Sequence, residues 1–127
     1  MKLRLTKNSI RIRVRKSELS ILSEKELIEE SISFPTKTTF NFGLKTSVDS
    51  LNVSASMANN NLKVFIPKQI ANNWINSNEV GIETYTDLEG EEQLHILIEK
   101  DFPCKDRPEE DKSDTFTELA NEQSPRC

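Results

Sequence analysis

The sequence predicts a mainly β domain with two short helices, an α+β arrangement in which two strand–strand–helix–strand–strand halves close a small barrel or sandwich. Three observations carry that expectation. Many short stretches alternate apolar and polar residues with a period of two, the mark of a half-buried strand. Turn-forming residues separate these stretches at short intervals. Only two stretches, near Ser17 and after Pro67, space their apolar residues as a helix does.

Taken in order, Lys2–Thr6 alternates with Leu3 and Leu5 on one face, and Lys7-Asn8 supplies a tight turn. Ser9–Val14 alternates again, with Ile10, Ile12 and Val14 opposite Arg11 and Arg13. Ser17 is placed to cap a helix, because its hydroxyl can accept a first-turn amide, and Leu19 and Leu22 then share one side. Strand character returns over Ile28–Phe34, stops at Pro35, and resumes over Thr38–Lys45 through Phe40, Phe42 and Leu44. In the second half Leu51, Val53, Ala55 and Met57 alternate, and Asn59–Asn61 forms a turn, since asparagine tolerates left-handed backbone angles. Leu62, Val64 and Ile66 make the next strand. The fixed φ of Pro67 suits the start of a helix whose inner residues pair as Ile70 with Trp74 and Ala71 with Ile75. Ser77-Asn78 ends it, and strands over Val80–Thr86 and Gln93–Glu99 follow around a turn at Glu89-Gly90.

A shift of 52 residues overlays the two halves, residues 2–46 and 51–99. It matches Ile10 with Leu62, Ile12 with Val64, Val14 with Ile66, Lys16 with Lys68, Leu22 with Trp74, and Ile28 with Val80. Phe42 and Leu44 fall on Leu94 and Ile96, whereas Phe40 falls on Glu92. A single such half has open ladder edges and an uncovered apolar face, and a second copy closes both. Alternating strands also match one another by chance, so the pattern alone leaves the duplication open.

The 127 residues suit one domain. We expect a globular unit over residues 1–100 and an extended or disordered acidic tail over 101–127, where Pro, Asp, Glu, Ser and Lys dominate. No apolar run reaches the roughly 18 residues of a membrane span, and the first residues hold no uninterrupted apolar segment. These features point to the cytoplasm and to no membrane partner. The two cysteines, Cys104 and Cys127, then remain thiols. A net charge of −4 argues against indiscriminate nucleic-acid binding, although residues 1–16 carry seven cations and no acid.

The cations offer the first candidate site. Arg11, Arg13 and Arg15, with Lys16 beside them, recur every second residue, which in a strand is a spacing of about 7 Å. That repeat suits successive phosphates of DNA and would give salt-dependent affinity. The competing expectation is a solvated face balanced by Glu24, Glu26, Glu29 and Glu30 or by the acidic tail. The second candidate is a metal site on Cys104, Asp111 and Asp114, set against a merely solvated tail, because no Cys-x-x-Cys pair or EF-hand loop is present. No cofactor is expected. His95 is a lone histidine without a nucleophile or paired carboxylate, which reads as structural or exposed, Trp74 reads as core, and three glycines make no phosphate loop. No serine sits in a glycine-flanked elbow.

Two resemblances follow from quoted residues. The run VFIPKQIANNW…NEVGIE resembles the module of swapped-hairpin bacterial regulators and antitoxins. That likeness implies interlocked halves and surface cations on DNA, here within one chain. Over nearly the whole length, MKLRLTKNSIRIRVRKSEL, VFIP, NEVGIE and LIEKDFPCKDRPEEDKSDTF resemble a family of small uncharacterised bacterial proteins, a domain of unknown function. The expected function is a non-catalytic cytosolic interaction module with an unidentified protein partner. A DNA-binding regulator is the alternative, and a metal- or small-ligand-binding protein a further one.

Overall fold

A computed structural model describes residues 1–101 as eight strands and two helices. The strands are β1 (Lys2–Thr6), β2 (Ser9–Val14), β3 (Leu27–Ser33), β4 (Thr39–Ser47), β5 (Ser54–Ala58), β6 (Asn61–Pro67), β7 (Gly81–Asp87) and β8 (Gln93–Lys100). Helix α1 (Lys16–Lys25) joins β2 to β3, and α2 (Lys68–Ile75) joins β6 to β7. The expected tail beyond residue 101 lies outside the described residues. No helix among them is long and apolar enough to cross a membrane.

The strands form two four-stranded sheets, ordered β1-β2-β8-β7 and β3-β4-β6-β5. Each keeps two edge strands, so neither closes into a barrel. Each sheet also takes one hairpin from either half of the chain. The inner contacts are parallel, β2 with β8 and β4 with β6, and the outer ones antiparallel. The register of one sheet maps onto the other, but with two offsets. Before the helices the offset is 52, so that Lys2↔Arg13 becomes Ser54↔Phe65. After them it is 54, so that Leu27↔Lys45 becomes Gly81↔Glu99. A uniform shift of 52 therefore mispairs the later strands: Phe42 corresponds to Ile96 and Leu44 to Ile98. The two extra residues fall between α2 and β7.

Alternation buries one face of each central strand. Ile10, Ile12 and Val14 from β2, Leu62, Val64 and Ile66 from β6, Phe42 and Leu44 from β4, and Ile96 and Ile98 from β8 join Leu22, Ala71 and Trp74 of the helices in one core cluster. Seven of these ten strand residues and all three helix residues sit at Cβ-branched, aromatic or small side chains or leucines with almost no exposure, the packing on which the two sheets depend. The helix starts differ from expectation. Helix α1 begins at Lys16 with Arg15 as its N-cap, and Glu18, not Ser17, supplies the cap by accepting the Arg15 amide at 2.8 Å. Pro67 closes β6 and caps α2 from outside, while Ile70 turns outward and leaves Ala71 and Trp74 buried.

Candidate functional site

Where α1 leaves β2 and the chain returns from α2 to β7, a cleft of about 590 Å³ opens. Its apolar floor combines Val14 at the end of β2, Leu19 of α1, Ile75 at the end of α2, and Val80 before β7. Lys16, Ser20, Ser77, Asn78, Lys100 and Asp101 complete the wall. Backbone bonds hold this junction together: the Lys100 amide donates to the Val80 carbonyl at 2.8 Å, and the Asp101 amide to the Val14 carbonyl at 2.8 Å. The indole of Trp74 donates to the same Val80 carbonyl at 3.2 Å, which fixes the chain as it leaves α2. The Lys100 ammonium lies 6.0 Å from the Trp74 ring and donates to the Ser77 carbonyl at 2.7 Å. Sequence reading did not find this cleft, because its lining comes from three separated segments, 14–20, 75–80 and 100–101.

The predicted arginine row divides. Only Arg11 and Arg13 share a strand face, and both meet acids at the end of β8. Arg11 places Nε and Nη2 each 2.7 Å from Glu99, while Arg13 lies 3.6 Å from Glu99 and 4.0 Å from Asp101. Arg13 is buried. Arg15 stands at the α1 cap with Nε 3.5 Å from Glu18, and Lys16 lines the cleft instead of extending the row. Among the described residues, acids that meet these arginines are Glu99, Asp101 and Glu18. Glu24 makes no described ion pair with these arginines; Glu26 and Glu29 pair with lysines of the second half, and Glu30 with the Met1 ammonium.

His95 is not isolated. Its Nε2 lies 2.6 Å from Glu83 Oε2, its ring stacks on Tyr85 at 4.6 Å, and Ser9 Oγ lies 3.5 Å from Nδ1. The register explains what the sequence hid: Ser9 faces His95 across the parallel β2–β8 ladder, and Tyr85 faces it across β7–β8. This hydroxyl–imidazole–carboxylate group occupies the outer sheet face, away from the cleft, and Glu83 is exposed. Cys104, Asp111 and Asp114 lie outside the described residues. Among the described residues no group of three or more His, Cys, Asp or Glu side chains could hold a metal.

Residues 1–120 match the model of one protein family, described as a family of unknown function (DUF7009). No curated protein and no solved structure matches the chain.

Proposed function

This chain belongs to the DUF7009 family of unknown function, and on that footing we propose that it is a non-catalytic binding module whose working surface is the cleft between α1, the α2–β7 turn and the end of β8. The observation that carries this reading is the cleft itself. Its volume falls in the range of small-molecule sites, and its apolar floor carries a few convergent polar groups, the usual composition of such sites. Its described lining holds amines, hydroxyls, an amide and one carboxylate, groups that can hold the polar parts of a partner. A fragment screen followed by two-dimensional amide NMR tests the reading. Hits should perturb Leu19, Ile75 and Val80 together; hits confined to other surfaces would overturn it. Turnover in a broad hydrolase screen, lost on replacing Ser9 or His95, would overturn the non-catalytic half.

The identical topology and register of the two sheets support reading the halves as copies of one unit, and the protein as cytoplasmic remains our working localisation. The exchange of hairpins between halves favours a second reading, a DNA-binding regulator of swapped-hairpin type using Arg11, Arg13, Arg15 and Lys16. Its weakness is that Glu99 already engages Arg11 and Arg13. That reading expects retention of duplex DNA that falls steeply with added salt; unchanged DNA mobility with micromolar protein at low salt rules it out.

A further inference from the structure

We propose that the cleft takes a small amphipathic carboxylate, one anionic head on a short apolar body, an inference that rests on the cleft being the binding surface. The observation behind it is a difference between two equivalent places in the fold. Lys16 opens α1 as Lys68 opens α2. Glu26 stands immediately before β3 as Val80 stands immediately before β7, and the two backbones do the same work: the Glu26 carbonyl accepts the Thr46 amide at 3.0 Å and the Val80 carbonyl accepts the Lys100 amide at 2.8 Å. At the first place the Glu26 carboxylate reaches the Lys68 ammonium at 2.8 Å. At the second, valine replaces the acid, and Lys16 has no acidic partner among the described residues. Lys16 and Val80 both line the cleft, with Val80 half exposed.

The remaining charges sharpen the imbalance. Lys100 also lines the cleft, and its ammonium donates to the neutral Ser77 carbonyl. Among the described residues Asp101 is the one acid lining the cleft, and its carboxylate faces Lys2 at 3.5 Å and Arg13 at 4.0 Å. Among the described residues the cleft therefore keeps an excess of positive charge beside its apolar side chains, within a chain of net charge −4. A bound carboxylate supplies to Lys16 what Glu26 supplies to Lys68, and its hydrocarbon covers Val14, Leu19, Ile75 and Val80. Charge sets the preference for the head group, and apolar burial supplies the affinity.

The test titrates the full chain with octanoate, 1-octanol and octylamine. Trp74, the single tryptophan, reports through its bond to the Val80 carbonyl, and the amide signals of Leu19 and Val80 give a second readout. Octanoate should saturate, with octanol roughly fivefold weaker and octylamine weaker still, as expected for one solvent-exposed charge pair. Lys16→Gln should weaken octanoate by a similar factor and leave octanol unchanged. Val80→Glu, which restores the acid found at the equivalent place, should remove the octanoate response while the thermal midpoint holds or rises. Equal binding of octanoate and octanol overturns the carboxylate class but leaves the cleft as the binding surface. No saturable response to any of the three overturns both readings. Undiminished octanoate binding by Val80→Glu assigns the response to another site and overturns the inference.

Discussion

The Glu18 carboxylate gathers several donors at one point: the Met1 ammonium, the Arg15 amide at 2.8 Å, and Arg15 Nε at 3.5 Å. Burial alone would raise its pKa, but the hydrogen bond from the Met1 ammonium, with the Arg15 amide, outweighs that effect and holds the group below the ordinary carboxylate value. A carboxylate depressed in this way stabilises the fold above its unfolded pKa of about 4.3, and that contribution is lost as pH falls through the folded value. We expect Glu18→Gln to cost roughly 1–2 kcal/mol at pH 7. The deficit should be smaller at pH 3, because the native carboxyl takes up a proton as pH falls through its lowered folded value. Urea denaturation at both pH values checks this, and an equal deficit at both would refute the charge argument. The arrangement was only half legible in the sequence. Arg15 and Glu18 have the three-residue spacing of a capping box, but arginine offers no acceptor for the first turn, so residue type alone favours Ser17 as the cap.

At the level of single elements, the hairpin of β3 and β4 depends on a bare α-carbon. A Cβ on Gly43 would lie 2.5 Å from the Ile28 carbonyl oxygen and 3.3 Å from the Glu29 α-carbon, both backbone atoms of the paired strand. Gly43→Ala should therefore destabilise by about 1–3 kcal/mol, because the ladder itself must move. Thermal unfolding of that variant, beside Gly90→Ala, separates two causes. Gly90 has open space around it and a φ of 80°, so its substitution costs only backbone strain, about 1–2 kcal/mol. A Gly43 variant as stable as wild type would show that the pairing at Glu29 can yield. Alternation located nearly every strand, since the core face needs an apolar residue at each second position. It overran at Leu51, which continues the pattern of Val53 and Ala55 but is 90% exposed. The β5–β6 ladder stops at Ser54↔Phe65; Val53 next to it is still buried in the core, whereas Leu51 lies three residues beyond the last pair.

For the molecule as a whole, the decisive contacts are the parallel ladders β2–β8 and β4–β6, which cross between the halves. Each half alone leaves both of its inner strands without their parallel partners. Residues 1–50 or 51–101 expressed separately should show no cooperative melt as monomers, and mixing them should restore one. Circular dichroism with sedimentation reads both outcomes; a cooperative monomeric melt by either fragment would contradict the interdependence. That the halves complete one another was legible, because each exposes edges and an apolar face. How they do so was not: alternation names the face of a strand but not its neighbour, and hairpin exchange is a choice of neighbour. The same blindness hid the cleft. A uniform shift of 52 also matches Ile28 to Val80, when the two-residue lengthening after α2 sets Glu26 there. Lys2 and Glu99 flank Arg13 from either side, so the outermost ends of the ladders lie about 10 Å apart, two strand spacings. Val48 and Leu51, in the connection between the halves, are largely bare of contacts. A permuted form of residues 1–101, with Asp101 joined to Met1 by a short linker and new ends between β4 and β5, keeps all six ladders.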